Sequence, residues 1–247
     1  MRHFDLCVIG SGPGGQKAAI QAAKLGKKVC VVEAQEVVGG VAVNTGTIPS
    51  KTLREVVLKL GGASSVAPQV KDFIAAARGA TLRALWASYQ EVIQHEIEIV
   101  RDHFSSNGIA LIRGRARFRD ANTVEASGVE ATEVVTADNF AIAVGTTPAK
   151  PSAVPFDETN VVTSDELLHL QVLPYSMIVV GGGVIGTEYA SMLATLGVRV
   201  TLIEGRDRLL DFADAEIIEA LQYHLRQNGM TLRLGEHVVR IEKVPAP

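Results

Sequence analysis

The stretch Gly10-Ser11-Gly12-Pro13-Gly14-Gly15 decides the fold of this chain, and it returns as Gly181-Gly182-Gly183-Val184-Ile185-Gly186. Each copy follows a short apolar segment, residues 5–9 and 177–180 respectively. Each copy also opens a stretch with helical periodicity, which leads to a second apolar segment ending in an acid, Glu33 or Glu204. This order predicts two β-α-β units about 171 positions apart.

The glycines at matching positions predict two turns that bind a diphosphate. Gly10 and Gly181 permit the tight turn, and Gly12 and Gly183 let the backbone approach a ligand closely. Gly15 and Gly186 allow the helix to pack closely on the strand. The start of each helix adds N–H donors and a partial positive charge. A lone fingerprint also fits an ordinary turn before a helix. Here the whole order recurs, which predicts two dinucleotides on one chain.

The acids at the two strand ends are placed to accept a hydrogen bond from a ribose 2′-hydroxyl. A carboxylate such as Glu204 favours NAD and repels the 2′-phosphate of NADP. Arg206 or Arg208, which follow it, could partly neutralise that charge and admit NADP. The alternative is that both arginines are solvated surface charges, so the preference between NAD and NADP stays open.

Composition excludes several classes of function. At 247 residues, 47% hydrophobic and 21% charged, the chain is expected to be globular, with one or two domains. A net charge of −3 gives no basic field for nucleic acid. No apolar run approaches the roughly 18 residues of a membrane span, and the N-terminus shows no signal peptide. Two cysteines cannot form a secreted disulfide framework. We therefore expect a cytoplasmic location and small-molecule partners.

The remaining segments predict the following elements. Helices are expected at residues 13–25, from Thr47 onward, and at 81–104, 184–196 and 214–227, and a loop at 61–79. Strands are expected at 4–9, 29–33, 110–113, 116–119, 124–126, 134–136, 140–144, 177–180, 199–204, 231–234 and 238–243. A proline-rich linker at 145–155 divides the chain into domains 1–150 and 151–247.

The stretch Gly39-Gly40-Val41-Ala42-Val43-Asn44-Thr45-Gly46-Thr47-Ile48-Pro49-Ser50-Lys51 resembles the active-site segment of the pyridine nucleotide–disulfide oxidoreductases. Those proteins carry two redox cysteines beside a flavin, where this chain has Ala42 and Thr47, and neither residue can exchange with a disulfide. The sequence Gly-Thr-Ile-Pro-Ser-Lys is most similar to the corresponding segment of the soluble pyridine nucleotide transhydrogenases, which lack the redox pair. Those often keep a cysteine at the position of Ala42, so this chain departs from them there.

The resemblance extends over essentially the whole chain, through Ala143-Val144-Gly145, Thr163-Ser164-Asp165 and Gly186-Thr187-Glu188-Tyr189-Ala190. It implies FAD in the first unit and NAD or NADP in the second. The cofactor-binding residues that it and the fingerprints indicate are Gly10, Gly12, Pro13, Gly14, Gly15, Glu33, Gly40, Thr45, Gly46, Lys51, Ala116, Ala143, Gly145, Gly181, Gly183, Ile185, Gly186 and Glu204.

Three catalytic residues are implied by the resemblance. Lys51 is expected beside the flavin near N5 and paired with Glu188, where it could stabilise negative charge on a reduced flavin. Away from this motif, both residues would be taken as solvated helix residues. Thr47 is either a helix N-cap or a hydroxyl facing the flavin, and the two readings are compatible.

Other chemically active side chains receive structural interpretations. Cys7 and Cys30 are expected to be buried packing residues on adjacent strands. The six histidines have no metal-like or triad-like spacing. The long helix around Trp86 and Tyr89 is expected to be core or a subunit contact and not a cofactor box.

The expected fold is α/β, with two Rossmann-like domains similar to glutathione reductase. The first should combine a parallel sheet, the long helix region and an antiparallel piece over residues 110–136, and the second sheet should be incomplete. The function implied is an NAD(P)+ transhydrogenase of the Si-specific type, in which hydride passes between NADPH and NAD+ through flavin N5.

Two alternatives stay open. Family members are longer and are homodimers, so the chain could be a fragment that binds FAD and NAD(P) without turnover. It could also be a relative of dihydrolipoamide dehydrogenase without a redox disulfide, acting as a diaphorase on a quinone or dye.

Overall fold

The computed structural model describes residues 2–66, 78–129 and 131–244. They form two compact units. Unit 1 comprises Met1–Pro49 and Gln90–Thr147, and unit 2 comprises Ser50–Tyr89 and Pro148–Pro247. The predicted domain ranges 1–150 and 151–247 stay a prediction, because compactness alone does not define a cofactor domain.

The first predicted β-α-β unit is present in unit 1. It consists of β1 (Arg2–Ile9), α1 (Pro13–Lys24) and β2 (Val29–Glu33), followed by the short helix α2 (Gly40–Asn44). The two strands are parallel, with Leu6 opposite Val29 and Ile9 opposite Val32. All five residues of β2 are buried, as its unbroken apolar run predicts. Gly26, at a φ of +78°, follows the end of α1, where glycine readily takes the left-handed conformation that ends a helix.

The sheet of unit 1 has the strand order β3-β2-β1-β6-β5-β4 among the described residues. Its other strands are β3 (Ala110–Arg113), β4 (Arg115–Asp120), β5 (Thr123–Ser127) and β6 (Thr132–Ile142). Strand β3 is parallel to β2, and β6 is parallel to β1, so the antiparallel part comprises only β4, β5 and β6. The expectation of an antiparallel piece starting at residue 110 was therefore wrong for β3.

The predicted strand pieces 134–136 and 140–144 are one strand, β6. The polar residues Asp138 and Asn139 between them hid its continuity from a hydropathy pattern. They belong to the strand because this part of β6 pairs with β1, where Asn139 lies opposite Leu6. Backbone pairing, and not side-chain hydropathy, holds this part of the strand in the sheet.

The core of unit 1 contains both cysteines. Cys7 on β1 lies opposite Cys30 on β2, and neither side chain is exposed. They pack in one apolar cluster with Phe4, Val32, Ile112, Val124, Ala126, Val135 and Ala137. The prediction that both are buried packing residues is confirmed.

Unit 2 contains the second β-α-β repeat. The order is α5 (Ser164–Leu167), β7 (Ser176–Val180), α6 (Val184–Thr195), β8 (Arg199–Glu204), α7 (Ala215–Gln227) and β9 (Thr231–Leu234). The strands are parallel in the order β7-β8-β9. Asp214 caps α7, since its carboxylate accepts the N–H of Glu216 at 3.0 Å.

Two long helices follow the first repeat, α3 (Thr47–Val66) and α4 (Arg78–Ser106). The loop predicted at 61–79 was wrong where it can be compared, because residues 61–66 and 78–79 are helical and 67–77 lie outside the described residues. Gly61 and Gly62 lower helix stability by only about 1 kcal/mol each relative to alanine. A helix of this length can form in spite of that cost. Helix α3 begins at Thr47, so Thr47 is the first helical residue and not the N-cap that precedes the helix.

The helix α4, expected to be core or a subunit contact, has a buried face in its described part, while Val92 is 37% exposed. Tyr89, Ile93, Ile97, Val100 and Phe104 are all buried. The side chain of Trp86 lies outside the described residues. Among the helices that are described, none combines the length and apolarity needed to cross a membrane.

The strand predicted at 238–243 is not formed. The chain leaves the edge of the sheet after the N–H groups of Gly235 and Glu236 bond to the carbonyls of Arg206 and Glu204. Val239 is 97% exposed. An alternating pattern becomes a strand only beside a partner strand, and residues 238–243 pair with none in the described part of the chain.

Candidate dinucleotide-binding sites

The glycine turn of unit 1 is shaped by two close approaches. A Cβ atom on Gly10, whose φ is +104°, would overlap the carbonyl oxygen of Ala143 at the end of β6. A Cβ on Gly15 would overlap the carbonyl oxygen of Gly10. The turn is therefore pressed between β6 and α1, and only glycine fits at both positions.

The same turn is open where a ligand would approach. A Cβ on Gly14 would meet no atom within 4 Å, and one on Gly12 would meet only the Cα of Gly40, at 3.9 Å. Gly12 precedes α1 and has no side chain to cap it. The first N–H groups of the helix are thus left for another acceptor, as an incoming diphosphate requires.

Glu33 lies at the carboxyl end of β2 and faces this turn. Its Oε2 accepts hydrogen bonds from the N–H (2.9 Å) and hydroxyl (2.6 Å) of Ser11, and its Oε1 accepts the N–H of Gln35 (2.9 Å). The Ser11 hydroxyl also accepts the N–H of Gly39 at 3.0 Å. Glu33 therefore joins the glycine turn to the start of α2. Its contact with a ribose stays a prediction.

The other first-unit candidates are divided between the turn and the rest of the sheet. Gly40, at a φ of +60°, lies against Gly12, and Gly46 lies against Val41. Thr45 ends α2, Gly145 follows β6, and Ala116 lies in β4 opposite Ala126. The structure brings Gly40 and Ala143 to the glycine turn, while the cofactor contacts of Thr45, Gly46, Ala116 and Gly145 stay predictions.

The glycine turn of unit 2 repeats the first. Gly181 has a φ of +110°, and a Cβ on Gly186 would overlap its carbonyl oxygen. A Cβ on Gly181 or Gly183 would meet no atom within 4 Å. Ile185, in the first turn of α6, is exposed. This turn thus offers the same open approach to a helix N-terminus.

Glu204, at the end of β8, is enclosed by donors. Its Oε1 accepts the N–H and Nε of Arg206 at 2.9 and 3.0 Å. Its Oε2 accepts the N–H of Gly182 at 2.6 Å and Nη2 of Arg206 at 3.0 Å. Arg206 also donates through Nη1 to Asp211 Oδ1 at 2.6 Å. The hydrogen bonds of the Arg206 side chain, ahead of the other causes, lower the pKa of Glu204 to about 2.

This lowered pKa predicts an acid-sensitive contribution to the stability of unit 2. Because the pKa in the folded chain is below the ordinary value of 4.5, the contribution is full above that pH and is lost as the pH falls towards 2. Urea unfolding followed by circular dichroism should show a shallower loss of stability over this range in Glu204→Gln than in the parent chain. Glu219→Gln, at an exposed position on α7, is the control and should keep the parent slope. Equal slopes for parent and Glu204→Gln would contradict the assignment.

The predicted pairing of Lys51 with Glu188 is present within unit 2. Lys51 Nζ, on α3, donates to Glu188 Oε1, on α6, at 3.1 Å. The Lys51 side chain is 63% exposed and that of Glu188 is 23% exposed. The pair therefore holds an accessible cation at a fixed place on α3. The predicted roles of Lys51, Glu188 and Thr47 beside a flavin stay predictions.

Sequence reasoning missed three groups that shape these sites. Ser11 joins Glu33 to Gly39, the N–H of Gly182 binds Glu204, and Asp211 shares Arg206. Ser11 carried a signal, since it stands inside the first fingerprint. Asp211 gave no such signal, because it lies in a loop five positions after Arg206 and belongs to no recognised sequence motif.

The fold and the two turns define a protein with two dinucleotide-binding units on one chain. The family described as pyridine nucleotide-disulphide oxidoreductase matches residues 4–246, and the chain belongs to this family. The glutathione-reductase-like α/β fold expected from the sequence is confirmed.

The similar proteins agree with this assignment. The chain is 51% identical to a soluble pyridine nucleotide transhydrogenase of Mycobacterium bovis, over 98% of this chain and 52% of the relative. It is 40% identical to one of Chromohalobacter salexigens, with the same coverage. Among solved structures, LpdA from Mycobacterium tuberculosis has a TM-score of 0.86 at 24% identity, covering 100% of this chain and 54% of that one. The chain thus spans about half the length of the relatives it matches.

Proposed function

We propose that this chain is an FAD-dependent transhydrogenase that moves hydride between NADPH and NAD+. The observation that carries the proposal is a pair of dinucleotide-binding units on a chain with no thiol pair available to them. The chain has two cysteines, and both are unexposed in the core of unit 1. Ala42 and Thr47 stand where the family's redox cysteines would be. Electrons would then have no disulfide to pass through, and a second nucleotide is the acceptor that we propose.

Each unit offers the parts that a dinucleotide needs. The open N-termini of α1 and α6 would bind the two diphosphates through backbone N–H groups. Glu33 and Glu204 stand at the strand ends, where the adenosine ribose of a bound dinucleotide would lie. From the family's arrangement we assign FAD to unit 1 and NAD(H) or NADP(H) to unit 2.

Lys51 is the group assigned to the reacting end. Its pairing with Glu188 orients the ammonium group without burying it, so the charge stays available to a ligand. The chemistry that FAD supplies when bound is reversible acceptance of a hydride. The protein supplies orientation and a cation. One nicotinamide site suffices because NADPH, once it has given up its hydride, leaves as NADP+ before NAD+ enters.

The test is a transhydrogenase assay on the purified chain supplied with FAD. NADPH with the thionicotinamide analogue of NAD+ should give turnover that N-ethylmaleimide does not inhibit, because no thiol takes part. Reduction of lipoamide or glutathione disulfide at a comparable rate would contradict the proposal. Inhibition by the alkylating reagent, with both cysteines buried, would also contradict it.

A second candidate is a chain that binds both nucleotides without turnover. Binding with no exchange of hydride in the same assay would select it. A homodimeric state and a cytoplasmic location remain part of the proposal and rest on the resemblance to soluble family members.

A further inference from the structure

The internal repeat allows the two strand-end acids to be compared position by position. Counting from one repeat to the next, Ser11 corresponds to Gly182, Glu33 to Glu204 and Gln35 to Arg206. Two hydrogen bonds are common to both sites. The backbone N–H after the first glycine donates to Oε2, and the N–H two residues after the acid donates to Oε1.

The two sites differ in the remaining donors. In unit 1 the additional donor is the neutral hydroxyl of Ser11. In unit 2 it is the guanidinium of Arg206, which donates from both Nε and Nη2. The repeat therefore holds a cation in unit 2 at the place where unit 1 has only neutral groups.

The Arg206 guanidinium is shared between two acids and can move without its backbone. It donates to Asp211 as well as to Glu204. The carbonyls of Arg206 and Glu204 are held by the N–H groups of Gly235 and Glu236, at 2.8 and 3.1 Å. The Arg206 side chain is 45% exposed. Rotation of that side chain at the surface is therefore the available change.

In the described arrangement the Glu204 carboxylate already accepts four N–H groups. A carboxylate has about four acceptor sites, so a ribose hydroxyl can bind Glu204 only if the guanidinium gives up a place. A 2′-phosphate is repelled by a carboxylate, but it binds the planar fork of a guanidinium with two parallel hydrogen bonds.

We propose that Arg206 is the specificity-determining residue that lets one strand end accept both NAD(H) and NADP(H). With NADP(H), the guanidinium leaves Glu204 and binds the 2′-phosphate. With NAD(H), Asp211 retains the guanidinium while Glu204 accepts the 2′-hydroxyl. This inference rests on the proposed assignment of nicotinamide nucleotides to unit 2.

Arg208 provides a matched control, because it is two residues away and does not contact Glu204. Its Nη2 donates to the backbone carbonyl of Asp211 at 2.9 Å. Sequence alone treated both arginines as equal candidates, and the structure separates them. A substitution at Arg208 removes the same charge from the same loop without touching the acid.

The experiment is isothermal titration of the full chain with NADP+ and, separately, NAD+. Loss of a charge-assisted bidentate contact predicts that Arg206→Gln raises the Kd for NADP+ roughly 30-fold, while the Kd for NAD+ changes less than about 3-fold. Arg208→Gln should leave both constants within about 3-fold of the parent. Circular dichroism verifies the fold of each variant.

Glu204→Gln is the second variant, and its expected effect has the opposite sign. Removal of the repelling charge should increase the affinity for NADP+ relative to that for NAD+ by about 10-fold, because a 2′-phosphate no longer faces a carboxylate. If Arg206→Gln lowers the affinity for NADP+ and for NAD+ equally, the inference is overturned. An equal effect of Arg208→Gln, or a parent chain that does not bind NADP+, would also overturn it.

These binding equilibria use oxidised nucleotides and involve no hydride transfer. If both nucleotides bind with the predicted dependence on Arg206 and no turnover is seen, the proposed transhydrogenase activity fails and the inference stands. If turnover is seen and Arg206→Gln lowers the affinity for both nucleotides equally, the inference fails and the activity stands.

Discussion

Replacement of Gly15 by alanine is expected to lower the free energy of unfolding by about 3 kcal/mol. The added Cβ would overlap the carbonyl oxygen of Gly10, and it would also lie 3.2 Å from Cγ1 of Val8. Gly10 has little room to shift, because it has a positive φ and lies so near the end of β6 that even a Cβ on it would overlap the Ala143 carbonyl oxygen. Helix α1 must therefore shift away from β1 to accommodate one methyl group.

The matched control is Gly14→Ala, one position earlier on the same helix. A Cβ there would meet no atom within 4 Å, and alanine is preferred over glycine in a helix by about 1 kcal/mol. Urea unfolding without added nucleotide should therefore show Gly14→Ala equal to or slightly more stable than the parent. Similar losses in the two variants would show that the close packing of helix on strand does not require Gly15.

Replacement of Lys51 by methionine is expected to slow hydride transfer from NADPH to bound FAD by roughly 100-fold, the usual scale for removing one preorganised electrostatic group. Methionine keeps the length of the side chain but removes the charge and the hydrogen bond to Glu188. Because the Lys51 side chain is 63% exposed, unfolding stability should change by less than about 1 kcal/mol. Stopped-flow reduction of the FAD-loaded chain measures the rate constant directly.

Lys59→Met is the control for this variant, since Lys59 is an exposed lysine on the same helix. It should keep the parent rate constant for flavin reduction. A second variant, Glu188→Gln, keeps a hydrogen-bond partner for Lys51 but removes the negative charge of that partner. We expect a rate constant of flavin reduction between those of the parent and Lys51→Met. If Lys51→Met reduces FAD as fast as the parent does, the residue is only a surface lysine with an ion-pair partner.

The parts of the fold that the sequence predicted are those held by local chemistry. The glycine turns followed from fingerprints in which Gly10 and Gly181 take a positive φ. Strand β2 followed from an apolar run that is buried throughout. The Lys51–Glu188 pair was implied by family resemblance, and no spacing rule joins residues on different helices 137 positions apart.

The parts that were missed depend on partners distant in sequence. Residues 238–243 alternate like a strand but lie beside no partner strand in the described chain. Asp138 and Asn139 are polar yet lie inside β6, because the backbone there pairs with the neighbouring strand β1. The sharing of Arg206 between Glu204 and Asp211 depends on how the loop after β8 folds back, which hydropathy does not encode.

The visible absorption spectrum of the purified chain with FAD, recorded while NADPH and then NAD+ are added without oxygen, tests the proposed hydride transfer. We expect a flavin band that bleaches with NADPH and recovers with NAD+, because hydride enters and leaves through the same nucleotide site. A protein that takes up no FAD, or a band that NADPH bleaches and only a disulfide substrate restores, would contradict it.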